Sequence, residues 1–178
     1  KTILIVGGSL GAGTINQTLT AGLKTIQEHP DVQFIWQTGK YYFENVKKAV
    51  ESAGKLPNLH VTDFIKDMAA AYAAADLVIS RAGAGSISEF CLLHKLVPSP
   101  NVAEDHQTQN ALALVNKQAA IYVKDCEAKD TLLKVALATV NDKEKLNDLS
   151  KNIAKLALPD SAKIIAQEVL KLAEEYDK

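Results

Sequence analysis

Short apolar runs alternate with helical patterns six times along the chain, and this alternation restricts the possible folds more than any other feature. The runs predicted as strands span residues 2–6, 32–36, 59–62, 77–80, 96–98 and 120–123. The first is apolar from Ile3 to Val6, which indicates a strand buried on both faces. Strands separated by helices form a parallel sheet with helices on both sides. We therefore expect an α/β fold built on a doubly wound parallel sheet of about six strands.

The segments between and after these runs have helical spacing. The predicted helices span residues 14–28, 41–53, 68–75 and 86–93, a stretch ending at Asn116, and then residues 130–140, 142–157 and 161–175. The Asp160-Ser161 pair after Pro159 is a good start signal for the last of them. Repeats and low-complexity segments are absent from the sequence, so we expect one domain.

Composition limits the class of protein. The 178 residues are 47% hydrophobic and 23% charged, which is typical of a soluble globular domain, and the net charge of −1 argues against nucleic acid as a partner. The two cysteines, Cys91 and Cys126, are predicted to be free thiols of a reducing, cytoplasmic compartment. The chain opens at Lys1 rather than at a methionine and shows no signal peptide, so we expect a domain taken from a longer protein.

Four loops with glycine or polar residues fall at the carboxyl ends of the predicted strands. They span residues 7–13, 63–66, 80–86 and 99–107. Because the strands are parallel, these ends lie along one rim, where ligands of such sheets bind. The sequence therefore predicts a ligand site on this rim.

The loop after the fourth strand has features of a nucleotide site. Gly83 and Gly85 let the backbone approach a ligand closely, and a helix beginning near Ser86 directs free N–H groups at one point, which suits a phosphate. Glu89 follows on the same face, where its carboxylate can accept hydrogen bonds from both hydroxyls of a ribose. The alternative is an ordinary capping box between Ser86 and Glu89. Arg81, the only arginine in the chain, either orients this loop, offsets phosphate charge or forms a structural ion pair.

The loop after the first strand is a second glycine-rich turn, with the sequence Gly7-Gly8-Ser9-Leu10-Gly11-Ala12-Gly13. It matches neither the dinucleotide fingerprint nor a Walker loop. Its residues predict a tight turn that lets a backbone, a substrate or another domain come close, with Ser9 as the exposed polar group.

The last loop ends in Glu104-Asp105-His106-Gln107, which places donors and acceptors within one helical turn. This mixture suits the hydroxyls of a hexose. A metal site, catalysis by His106 and an ordinary acidic helix N-terminus are the alternatives. Consecutive residues rarely face one ion, and no acid or nucleophile pairs with His106 in the sequence, so we expect no metal.

Three segments resemble the carboxy-terminal half of the MurG family of bacterial glycosyltransferases, in the same order over nearly the whole chain. They are residues 7–12 with Ile15-Asn16, residues 80–89, and residues 98–108 with Asn110. The resemblance implies a GT-B glycosyltransferase made of two Rossmann-like halves. Residues 1–178 would then be a single UDP-sugar-binding domain that ends in helices from about 129, and the N-terminal acceptor domain would be absent.

The resemblance also implies an activity and residue roles. The family transfers GlcNAc with inversion from UDP-GlcNAc to undecaprenyl-diphospho-N-acetylmuramoyl pentapeptide, converting lipid I to lipid II in peptidoglycan synthesis at the cytoplasmic face of the inner membrane. The donor-binding positions carried over are the backbone at Ile65 for uracil, Glu89 for ribose, Ser9, Ala84, Gly85 and Ser86 for the diphosphate, and Asp105, His106 and Gln107 for GlcNAc, with Gly7, Gly8, Gly11, Arg81 and Gly83 supporting the loops. The family's base lies in the amino-terminal half, so the catalytic residue of this chain is unknown. The chain alone is expected to bind donor without a cofactor and to transfer little or nothing.

Two other hypotheses stay open at this stage. The chain could be a free-standing donor subunit of a split transferase that works with a separate membrane partner. It could also belong to another GT-B enzyme that uses a UDP-sugar, such as an epimerase, although that would require a catalytic acid or base in this half.

Overall fold

A computed structural model describes residues 1–8, 10–83, 97–98, 105–157 and 160–176. The strands are β1 (Thr2–Val6), β2 (Gln33–Gln37), β3 (Leu59–Thr62), β4 (Leu77–Ser80) and β5 (Val97–Pro98). The helices are α1 (Gly13–Ala21), α2 (Leu23–Gln27), α3 (Lys40–Ala53), α4 (Met68–Ala74), α5 (Asp105–Asn116), α6 (Ala128–Asn141), α7 (Lys143–Ala154) and α8 (Ser161–Tyr176), with a 3₁₀ turn at Asp125–Glu127.

The strands form one parallel sheet in the order β3-β2-β1-β4-β5. Successive side chains of a strand point to opposite sides of the sheet, and the interior strands bury side chains on both sides. One face carries a core of buried residues that includes Ile3, Ile5, Phe34, Trp36, Leu77, Ile79, Leu19 and Leu132. The other face carries Leu4, Val78, Tyr72, Leu114, Ala119 and Ile153. The predicted α/β class and the doubly wound parallel sheet are therefore confirmed.

The sixth predicted strand is wrong. Residues 120–124 have an irregular backbone, and the sheet in the described part of the chain has five strands. β5 has only two residues, paired as Ile79 with Val97 and Ser80 with Pro98. In the described ranges no strand pairs with the outer edge of β5, and Pro98 has no N–H to donate to one.

The predicted helix over residues 14–28 is divided at Gly22. The Gly22 N–H donates to the carbonyl oxygens of Thr18 and Leu19, which closes α1 before α2 begins. A Cβ at this position would lie 2.1 Å from a methyl carbon of Leu133 on α6. The Leu133 side chain of α6 therefore packs directly against the backbone at the break and would have to move for any larger residue.

The carboxy-terminal helices begin close to where the sequence placed them. Asp142 starts α7, since its carboxylate accepts the Lys145 N–H at 2.9 Å. Every side chain of α8 from residue 161 to residue 173 is exposed. In the described ranges, no helix combines the length and the apolar character that crossing a membrane requires.

Candidate functional site

The carboxyl ends of β1 to β4 meet at one rim, because the four strands are parallel neighbours. Gly7 follows β1, Thr38 follows β2, Asp63 follows β3 and Arg81 follows β4. Three of the four predicted rim loops thus begin at the same edge, and the polar contacts between them can be followed residue by residue.

The loop after β1 folds back on itself and lies against the turn after β2. The Gly11 N–H donates to the Gly8 carbonyl at 3.0 Å, and Gly11 has φ +81°. A Cβ on Gly11 would lie 2.1 Å from the Thr38 carbonyl oxygen, and one on Gly39 would lie 2.5 Å from the Gly11 nitrogen. The two glycines therefore allow two backbones to touch, as the sequence predicted for the first loop.

A buried amide holds α1 to the end of β2. Asn16 is 3% exposed; its Nδ2 donates to the Thr38 carbonyl at 2.9 Å, and its Oδ1 accepts from Trp36 Nε1 at 2.9 Å. Thr38 N–H in turn donates to the Thr62 carbonyl at 2.9 Å. Each of these buried groups has a specific partner, which fixes the start of α1 relative to β2 and β3.

Gln37, the last residue of β2, joins the loops on both sides of it. Its Oε1 accepts from the Gly7 N–H at 3.2 Å, and its Nε2 donates to the carbonyls of Gly8 at 3.0 Å and Asp63 at 3.2 Å. Gln37 is not among the site residues predicted from the sequence. A polar residue directly after an apolar strand and before a glycine turn was the available signal.

The loop after β3 leads into α4 through two local hydrogen bonds. Thr62 Oγ1 donates to the Phe64 carbonyl at 3.0 Å, and the Asp67 carboxylate accepts the Ala70 N–H at 2.9 Å as the helix cap. Ile65, between them, is half-buried and packs against the core that contains Leu4. The backbone predicted to meet uracil is therefore anchored by its own side chain.

The loop after β4 is described as far as Gly83. Ser80 is buried and its Oγ donates to the Arg81 carbonyl at 3.2 Å. Asn110 Nδ2 donates to the Ala82 carbonyl at 3.2 Å, which ties α5 to this loop. Arg81 Nε is buried, and no group in the described ranges accepts a hydrogen bond from it.

The structure places the predicted site residues in three groups. Six lie on the rim in described loops: Gly7, Gly8, Gly11, Ile65, Arg81 and Gly83. Three form the first turn of α5, which Asn110 holds near the β4 loop: Asp105, His106 and Gln107. Five lie outside the described residues: Ser9, Ala84, Gly85, Ser86 and Glu89. The helix predicted over 86–93 and the thiol of Cys91 also lie outside them, whereas Cys126 is a free, exposed thiol as expected.

Charge near the rim includes one carboxylate that faces the start of α1. Asp125 Oδ2 accepts from Thr14 Oγ1 at 2.8 Å. Asp76 lies at the other edge of the sheet, before β4; burial acts to raise its pKa, but the Thr2 N–H at 2.8 Å and the Lys1 ammonium outweigh this, so the pKa is lowered. Asp76 lies at the amino ends of β1 and β4, so its pKa does not affect the rim at their carboxyl ends.

The chain is similar to a well-defined set of proteins. A 78% identical relative from Bacteroides thetaiotaomicron and a 74% identical one from Bacteroides fragilis are both named UDP-N-acetylglucosamine–N-acetylmuramyl-(pentapeptide) pyrophosphoryl-undecaprenol N-acetylglucosamine transferase, and each match covers 98% of this chain. The crystal structure of Acinetobacter baumannii MurG has a TM-score of 0.81 at 32% identity over 96% of this chain. The chain spans about half the length of these proteins: 48%, 47% and 49%.

The family model for the glycosyltransferase family 28 C-terminal domain matches residues 2–165. The match includes every strand of the sheet and all the rim loops described above. The chain belongs to the glycosyltransferase family 28 C-terminal domain family.

Proposed function

We propose that this chain is the donor-binding half of an inverting transferase that moves GlcNAc from UDP-GlcNAc to undecaprenyl-diphospho-N-acetylmuramoyl pentapeptide. The observation that carries the proposal is the convergence of the β1, β3 and β4 loops on one rim in a chain that is 78% identical to half of a transferase with this donor and acceptor in its name. Family membership favours a transferase over the epimerase hypothesis.

The proposed donor lies across the rim. Uracil meets the backbone at Ile65, Glu89 accepts both ribose hydroxyls, and Ser9, Ala84, Gly85 and Ser86 bind the diphosphate. The hexose lies against the start of α5, at Asp105, His106 and Gln107. The bond from Asn110 to the Ala82 carbonyl supports this proposal, since it keeps the first turn of α5 beside the loop that would hold the diphosphate.

The proposed chemistry is a single displacement at the anomeric carbon with UDP as the leaving group. In this proposal, the N-terminus of the helix that the sequence predicts over residues 86–93 stabilises the negative charge that develops on the diphosphate. A base must take the proton of the acceptor hydroxyl, and we place that base in the other half of the protein. The acceptor carries a lipid chain, so the complete protein works at a membrane surface, which we propose is the cytoplasmic face of the inner membrane.

Calorimetric titration of the 178-residue chain with UDP-GlcNAc, UDP and ADP tests the donor site. We expect saturable binding of the two uridine ligands and none of ADP. Glu89→Ala removes two charge-assisted hydrogen bonds and should weaken UDP binding at least about tenfold. Glu44→Ala, at an exposed position of α3, is the matched control and should leave the affinity unchanged. Equal binding of UDP and ADP, or full UDP affinity in Glu89→Ala, would contradict the proposal.

Transfer by the chain alone distinguishes a half enzyme from a complete one. Lipid II formation from UDP-GlcNAc and lipid I should be undetectable with the chain alone and should appear when the amino-terminal half is supplied as a separate polypeptide. Turnover by the 178-residue chain without that half would show that the base is present here.

A further inference from the structure

Gln37 lies on the rim and forms hydrogen bonds with both the first glycine loop and the loop that leads to Ile65. It is 3% exposed and ends β2, the strand between β1 and β3. In register it faces Val6 on one side and Thr62 on the other, the last residues of their strands. The backbone pairing of the three strands ends at these residues, and beyond them the Gln37 side chain forms the hydrogen bonds that join the loops.

Both polar atoms of the Gln37 amide form hydrogen bonds. Its oxygen accepts one backbone N–H, from Gly7, and its nitrogen donates to two carbonyls, those of Gly8 and Asp63. A side chain that fits this arrangement must carry one acceptor and two donors at the end of a two-carbon stem, which only glutamine does. A carboxylate would face two carbonyl oxygens without a donor, and asparagine is one methylene shorter.

We propose that Gln37 is a positioning residue that sets the distance between the diphosphate end and the uracil end of the donor site. The inference rests on the proposed function, in which Ser9 follows Gly8 along one loop and Ile65 follows Asp63 along the other. Gln37 touches neither part of the donor itself. It holds the two loops in register, so that one nucleotide can reach both at the same time.

A positioning role predicts that substitution of Gln37 weakens the binding of some ligands more than others. A residue that only stabilised the fold would affect all of them alike. A loop clamp matters for a ligand that spans both loops, and it matters little for a ligand that uses only one of them. Gln37→Met keeps the length and volume of the side chain and removes all three hydrogen bonds. Gln33→Met is the matched control, since Gln33 is the exposed first residue of the same strand.

The experiment measures the dissociation constants of UDP, uridine and inorganic pyrophosphate for the unsubstituted chain and both variants, by titration followed with NMR. For Gln37→Met we expect about a tenfold weaker affinity for UDP and changes below about twofold for uridine and for pyrophosphate. Gln33→Met should bind all three as the unsubstituted chain does. If Gln37→Met does not fold, Gln37→Asn, whose amide is one methylene too short to bridge the two loops, takes its place with the same expected pattern.

The outcomes separate this inference from the function on which it rests. UDP affinity unchanged in a folded Gln37 variant, or an equal loss for UDP and both fragments, would overturn the positioning role and leave the donor site intact. Absence of UDP binding by the unsubstituted chain, alone and with the amino-terminal half added, would overturn both.

Discussion

The β1–β2 side of the rim buries polar side chains, whereas helix α8 leaves large apolar side chains exposed. At the rim, the amide side chains of Asn16 and Gln37 are buried, and each of their polar atoms has a named partner. Along α8, large apolar side chains stay 51–65% exposed: Ile164, Ile165, Val169, Leu170 and Leu172. Buried polar groups are tolerated when they are paired, whereas apolar groups that stay in water contribute little to folding.

The two regions also differ in how far apart in the sequence their hydrogen-bonded partners lie. Hydrogen bonds at the rim join residues more than 20 positions apart, such as Asn16 with Thr38 and Gln37 with Asp63. The polar contacts of α8 are local, as in the pair of Lys171 with Glu168. We therefore expect substitutions at the rim to change the stability of the whole domain and substitutions on α8 to change it little.

The largest effect should come from Gly11→Ala. The new Cβ would meet the Thr38 carbonyl oxygen at 2.1 Å, and φ +81° is strained for any residue with a Cβ. We expect a loss of about 4 kcal/mol in the free energy of unfolding, measured by denaturant titration.

Gly54→Ala is the control for this prediction. Gly54 also has a positive φ, of +94°, but nothing lies within 4 Å of an added Cβ. It should lose only the backbone strain, about 1–2 kcal/mol. Equal losses at the two positions would show that the contact between the two turns does not matter.

The glycine loops illustrate how much of the rim the sequence could predict. Glycines after an apolar strand indicate a tight turn, and the alternation of strands and helices places these turns on one edge. The contact of Gly11 with Gly39 could not be predicted, because it depends on the relative positions of two turns that are far apart in the sequence.

The same limit explains the residues and elements that the sequence analysis missed. Gln37 and Asn16 act through partners that are 20 or more residues away, so their local sequence contains no periodic signal. The apolar run at 120–123 has the pattern of a strand, but no strand among the described residues pairs with it, and Pro98 of β5 has no N–H to offer. A local sequence pattern indicates which secondary structure a segment favours, but tertiary packing determines which one it adopts.

A smaller loss is expected for Asn16→Leu, which preserves volume and removes both hydrogen bonds. The Trp36 Nε1–H loses its partner, as does the Thr38 carbonyl oxygen, so we expect a loss of about 2–3 kcal/mol by denaturant titration. Asn45→Leu, at an exposed position of α3, should stay within about 0.5 kcal/mol of the unsubstituted chain.

A double-mutant cycle with Trp36→Phe isolates the side-chain pair. In the Trp36→Phe background the indole N–H is already gone, so Asn16→Leu should cost at least about 0.5 kcal/mol less than in the unsubstituted chain. Strict additivity of the two substitutions would mean that the 2.9 Å contact contributes nothing specific.

The smallest effect should come from Ile165→Ala on α8. Ile165 is 63% exposed, so truncation removes little buried area, and alanine has a higher helix propensity than isoleucine. We expect a change within about 0.5 kcal/mol in denaturant titration. Ile153→Ala on α7 is the reference, because Ile153 is fully buried and its truncation should cost at least about 2 kcal/mol. A loss at Ile165 as large as that at Ile153 would mean that α8 packs against the domain in solution, and the contrast between the rim and α8 would then no longer hold.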